Sequence, residues 1–129
     1  MAKSTDPGLT FHPSPAGEGL PFSEAVRAGD LLFLSGQIGL DDSGQVVSGG
    51  VGPETRRAME NIRAVLLRHG SSLEKVVKVT VMLADIAEWA AMNAEYVNFF
   101  PGCFPARSAF GTSGLALRAR VEIECVAHV

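Results

Sequence analysis

The run RARVEIECVAHV at positions 118–129 alternates with a period of two. Ala119, Val121, Ile123, Cys125 and Ala127 fall on one side, and Arg118, Arg120, Glu122, Glu124, Val126 and His128 on the other. That period belongs to a strand with one face in a core. In SSLEKVVKVTVML, Val77, Val79, Val81 and Leu83 alternate with Lys78, Thr80 and Met82, predicting a second strand with one buried face, preceded by a brief helical turn capped through Ser71-x-x-Glu74. GPETRRAMENIRAVLLRHG changes period: Ala58, Ile62, Val65 and Leu66 recur at helical spacing, Pro53 suits a first turn, and Gly70 stops the run.

Asp85-x-x-Glu88 predicts the start of a second helix, which runs to about Phe100, with Ile86, Ala90, Val97 and Phe100 facing inward and Pro101-Gly102 ending it. FSEAVRAGDLLFLSGQIGL gives two strand-like runs around a turn at Ala28-Gly29-Asp30, and DDSGQVV adds a Ser-Gly turn and a short edge strand. Residues 1–20, rich in Pro, Gly and Ser and without a period, read as an extended lead-in, with order beginning near Pro21 and a single domain over 21–129. The order strands, helix, strand, helix, strands predicts an α+β fold with two helices on one face of a mixed sheet. The other sheet face is only partly apolar, so association with further subunits is expected to cover it.

Composition narrows the classes. At 129 residues and 47% hydrophobic, the chain supports one core. A net charge of -3 with one Trp and one Tyr offers neither a cationic field for phosphates nor a stacking surface for bases, which argues against nucleic acid. Apolar runs such as DLLFLSG are strand-sized and far short of the roughly 20 residues of a membrane span, and MAKSTDPGLTFHPSP has no apolar secretion core, so the expected location is cytoplasmic. Cys103 and Cys125 lack C-x-x-C spacing, and His12, His69 and His128 form no H-x-x-x-H pattern, so no metal site is read. No P-loop, G-x-S-x-G or G-x-G-x-x-G signature is present, and no cofactor is expected. Cys103 has no motif-linked histidine and reads as an inert thiol.

One residue breaks the hydrophobic logic. FPARS at 104–108 places Arg107 among Phe104, Ala106 and Phe110, in a stretch that otherwise looks bound for the interior. A buried guanidinium without a partner costs several kcal/mol, so it must meet a protein carboxylate, a carbonyl or a ligand.

PFSEAV at 21–26, LSGQIG at 34–39, and FPARS followed by VEIECVA at 121–127 together resemble the reactive-intermediate deaminase family, the RidA or YjgF-type family also labelled endoribonuclease L-PSP. The resemblance covers about residues 20 to 128. It implies a chorismate-mutase-like fold, a homotrimer whose sheets form a central barrel, and active sites in clefts between subunits. It also implies that Arg107 receives the carboxylate of a small enamine or imine acid through two parallel hydrogen bonds. Glu122 then matches the position that holds or activates the attacking water, against the alternative of a solvated charge paired with Arg118 or Arg120. Gly36 matches a position that offers its backbone to the ligand, with Ser35 as a further donor; a strand bulge is the other reading of Gly36.

The chain also departs from the family pattern. Phe22 stands where many members have tyrosine, keeping an aromatic wall without a phenol. Ala109 stands where many have cysteine, leaving its backbone carbonyl to hold water, and Leu115-Ala116 replaces Leu-Pro. The implied activity is hydrolytic deamination of 2-aminoacrylate or 2-iminopropanoate-type acids to 2-oxo acids and ammonia, with no metal or cofactor. A non-catalytic trimer that binds 2-keto acids is the alternative, and a ribonuclease or translation inhibitor is a further one.

Overall fold

The computed structural model describes residues 6–15 and 19–129; residues 1–5 and 16–18 of the expected lead-in lie outside the described residues. Strands β1 (Leu9–Pro13), β2 (Ser23–Ala28), β3 (Leu31–Leu34) and β4 (Gln37–Ile38) precede helix α1 (Val51–Arg68). They are followed by β5 (Val76–Leu83), α2 (Trp89–Tyr96), β6 (Ala106–Gly111) and β7 (Val121–His128). All seven strands join one sheet in the order β1-β2-β3-β7-β5-β6, with β4 also paired to β7. β5 and β6 run parallel across the α2 crossover and the other pairs are antiparallel, so the sheet is mixed.

β7 lies inside the sheet, paired with β3 and β4 along one edge and β5 along the other. Its alternation therefore reads directly as burial: Val121, Ile123, Cys125 and Ala127 pack with Val79, Val81 and Leu83 under Ala58, Ile62 and Leu66 of α1. The opposite face carries a row of apolar residues, Phe11, Val26, Phe33 and Val126, placed side by side by the register of β1, β2, β3 and β7. Phe11 and Phe33 are 48% and 43% exposed, a large apolar exposure for one row of a sheet.

Several expectations are corrected. The sheet begins at Leu9 rather than near Pro21, because β1 pairs with β2 inside the expected lead-in. Val76 is buried and Val77 is exposed, because a register shift between Val76 and Lys78 turns Val77 outward. The second helix is broken into a 3₁₀ turn at Ile86–Glu88, α2, and a 3₁₀ turn at Val97–Phe99. Its inner side is Met92, Tyr96 and Phe100, whereas Ile86, Ala90 and Val97 are exposed. Ser71 caps no helix; its hydroxyl donates to the His128 carbonyl at 2.7 Å, and Ser72 occupies the cap position of the 3₁₀ turn Leu73–Lys75. The expected edge strand in DDSGQVV is a single bridge between Leu40 and Val46.

Candidate active site

Arg107 stands on β6, an outer strand of the sheet, opposite the buried Val79 and therefore on the helix-covered face. Its Nη1 donates to Oδ1 of Asn93 at 2.7 Å and approaches Met92 Sδ at 3.9 Å. The guanidinium carbon lies 4.8 Å from the Tyr96 ring centroid and 5.7 Å from that of Trp89, both within the range of cation–π attraction. All four neighbours come from α2, which is the role of that short helix in the site. Beside them lies a hollow of about 300 Å³ lined by Asn93, Tyr96, Val97, Phe104, Pro105 and Arg107.

No ion pair among the described residues includes Arg107, whereas Arg56, Arg57, Arg68 and Arg120 each hold a carboxylate. The partners of Arg107 are neutral, so its charge remains uncompensated in a half-buried setting. A second hollow of about 280 Å³, between Arg56, Glu60, Arg63, Glu95, Asn98 and Phe99, differs on this point. There Arg56 is already gripped by both oxygens of Glu95. The Tyr96 hydroxyl is buried without a hydrogen-bond partner among the described residues, and burial pushes its pKa up to about 12 despite the opposing charge of Arg107.

Glu122 lies on β7 between the buried Val121 and Ile123, opposite Met82 of β5 and Ile38 of β4. Its carboxyl is half-buried, and burial first, then the neighbouring Glu124 carboxylate, raises its pKa above the ordinary carboxylate value. No ion pair with Arg118 or Arg120 is formed; Arg120 pairs instead with Glu88. Gly36 packs directly on this group, since a Cβ built there would stand 2.1 Å from Glu122 Oε2. The chain takes four steps from Phe33 to Gln37 while β7 takes three from Val126 to Ile123, so Ser35-Gly36 forms a bulge beside Glu122.

The sequence-predicted residues thus form two groups. Glu122, Gly36 and Ser35 gather on the open face of the sheet, while Arg107 and Ala109 share the helix-covered face of β6, Ala109 packed against the core. Phe22, half exposed, sits just ahead of β2. The Ser35 hydroxyl already donates to the Ser23 carbonyl at 2.6 Å, so its proton is committed to the chain. Sequence reading missed Asn93, Trp89 and Tyr96; a signal was present in the spacing of Met92, Tyr96 and Phe100, which marks the inner face of α2 and sets Asn93 on its flank.

Residues 13–129 match the family model described as endoribonuclease L-PSP. The chain is 44% identical over 108 residues to the 2-iminobutanoate/2-iminopropanoate deaminase of Homo sapiens, covering 83% of this chain and 79% of that protein. It is 41% identical to Reactive Intermediate Deaminase A, chloroplastic, of Arabidopsis thaliana, over 83% of this chain and 58% of that longer protein. Among solved structures, a Rid-family protein of unknown function from Yersinia pestis superimposes with a TM-score of 0.85 at 35% identity, covering 94% of this chain and 99% of the other.

Proposed function

The chain belongs to the endoribonuclease L-PSP family of reactive-intermediate deaminases, and from that premise we propose that it hydrolyses small imine acids of the 2-iminopropanoate type to 2-oxo acids and ammonia. The observation that carries this reading is the uncompensated Arg107: a planar fork, half-buried against two aromatic rings, with neutral partners and a hollow at its side. A small carboxylate supplies the missing charge through two parallel hydrogen bonds.

In the proposed reaction an enamine such as 2-aminoacrylate first tautomerises to the imine. Arg107 holds the carboxylate, and Glu122 accepts a proton from water as the oxygen bonds to the imine carbon and returns it to the nitrogen. The resulting carbinolamine passes its hydroxyl proton by the same carboxylate to the amine, which leaves as ammonia to give the 2-oxo acid. Free imines hydrolyse in water unaided, so orientation and a base worth about 10²- to 10⁴-fold suffice. Gly36 leaves room for the Glu122 carboxylate, and Phe22 and Ala109 shape the site without adding a titrating group. Since Arg107 and Glu122 occupy opposite faces of one sheet, the site takes Glu122 from a second copy, with a homotrimer as the assembly. Burial of the exposed Phe11 and Phe33 row supplies an apolar driving force for it.

The test is turnover of 2-iminopropanoate generated in situ, measured together with thermal stabilisation by 2-oxobutanoate. Arg107→Lys keeps the charge but loses the fork, and 2-oxobutanoate affinity is expected to fall tenfold or more, about 1–3 kcal/mol. Unchanged affinity returns Arg107 to a structural role; stabilisation without turnover selects the non-catalytic carboxylate-binding reading.

A further inference from the structure

Among the described residues β1 is an outer strand of the sheet and pairs only with β2. From it His12, opposite the buried Ala25, turns toward the helix layer and stacks on His69, the residue that ends α1. The ring centroids are 4.1 Å apart and the planes are tilted by 28°. His69 Nε2 lies 2.8 Å from Oε2 of Glu24, and Arg68 donates to Oε1 of the same carboxylate. Glu24 is the extra residue of a bulge: His12 faces Ala25 and Pro13 faces Ser23, which leaves Glu24 unpaired in register and buried.

From this arrangement we infer that the His12–His69 stack is an acid-sensitive latch, which holds β1 against α1 at neutral pH and releases it when His12 takes up a proton. The titratable and charged groups that act on His12 are His69 at the end of α1 and Glu24 and Arg27 from β2; Arg68 of α1 reaches the same Glu24 carboxylate. The one carboxylate among them is already bonded by Arg68 and His69, which hold it ionised below the ordinary carboxylate value even though burial, the largest single influence, acts the other way. A proton on His12 therefore lands in a half-buried ring stacked on a second imidazole, with the Arg27 charge acting against it and the local anion committed.

The direction of the pH effect follows. Burial first, then His69, with Arg27 adding and Glu24 opposing, lowers the His12 pKa below its ordinary 6.5. The detached strand accepts a proton that the docked strand resists, so the contribution of the latch is complete above pH 6.5 and is lost as pH falls through the lowered pKa. The effect reaches beyond β1. Ser35 donates its amide to the Glu24 carbonyl and its hydroxyl to the Ser23 carbonyl, so the same bulge carries the segment next to Gly36.

Hydrogen exchange on the full chain between pH 8 and pH 5, corrected for intrinsic rates, tests the latch, with the β5–β7 ladder as internal control. Protection of the β1–β2 amides is expected to fall in acid by up to tenfold for each unit by which the His12 pKa is depressed, while β5–β7 protection stays level. His12→Phe retains a stacked ring without a charge and is expected to abolish the acid loss. A flat wild-type profile, or an acid loss that persists in His12→Phe, overturns the inference. Independently of that variant, an NMR titration placing the wild-type His12 pKa at or above the ordinary imidazole value also overturns it.

Discussion

The Glu122 carboxylate fills the space that a side chain on Gly36 would occupy, with Oε2 2.1 Å from the position of a Cβ. Gly36 is not among the glycines at positive φ, so glycine is needed there for room rather than for backbone conformation. The obstructing atoms belong to the end of a flexible side chain, which can swing away. Gly36→Ala is therefore expected to leave the melting temperature almost unchanged while imine hydrolysis falls by up to about 10²-fold, the cost of misplacing a reacting group by an ångström.

Gly39→Ala supplies the contrasting case. Its Cβ would stand 2.7 Å from the Glu54 carbonyl oxygen and 2.9 Å from the Glu54 Cα, atoms of the α1 backbone that cannot rotate aside. Thermal unfolding should show a loss of about 1–3 kcal/mol, the usual cost of overpacking.

Asn93→Asp is nearly isosteric and puts a carboxylate where Arg107 now has a neutral acceptor at 2.7 Å. An internal ion pair then competes with any bound carboxylate. Calorimetry with 2-oxobutanoate is expected to show a loss of tenfold or more, from a charge-assisted bond worth about 1.5–3 kcal/mol. Asn93→Ala, which only frees the guanidinium, should cost less. An aspartate variant that binds as tightly as the wild type would place the carboxylate away from Arg107.

Glu122→Gln keeps the size of the side chain and removes the base. Ligand affinity should hold, and hydrolysis should fall by up to about 10²- to 10⁴-fold. The wild-type rate is expected to rise with pH through a carboxyl pKa displaced above 4.5, because burial and Glu124 favour the protonated form and only the ionised form accepts a proton from water. A pH–rate profile of the glutamine variant should lack that rising limb. Concurrent loss of binding and turnover in the variant would make Glu122 an orienting group rather than the base.

Alternation along β7 was readable in the sequence because strands pair with it on both sides, so one residue parity corresponds to one face throughout. The same reasoning failed at Val77, where one irregular step in the β5–β7 ladder exchanged the faces of Val76 and Val77. It fails again at α2: one inner stripe from Ile86 to Phe100 requires an unbroken helix, and the 3₁₀ turns at either end rotate Ile86 and Val97 out of line. β1 was missed because five residues that include Pro13, with His12 rather than an aliphatic facing the core, carry no apolar period. The ordered motifs exposed the family, and the irregular conjunction of charge and aromatics around Arg107 marked that residue. The spacing of Met92, Tyr96 and Phe100 places Asn93 on the flank of α2, but its contact with Arg107 is made only by the packing of α2 on β6.

The separation of Arg107 and Glu122 on opposite sheet faces has a genetic consequence. Two mutant alleles, one encoding Arg107→Ala and one encoding Glu122→Ala, should each give an inactive product, yet a cell carrying both should regain activity. With each cleft taking its arginine from one copy and its glutamate from a neighbour, as proposed, about a quarter of the clefts in randomly mixed assemblies are intact. A double substitution on a single allele should behave differently: combined with the wild type it leaves about a quarter of the clefts intact as well, but expressed alone it rescues nothing.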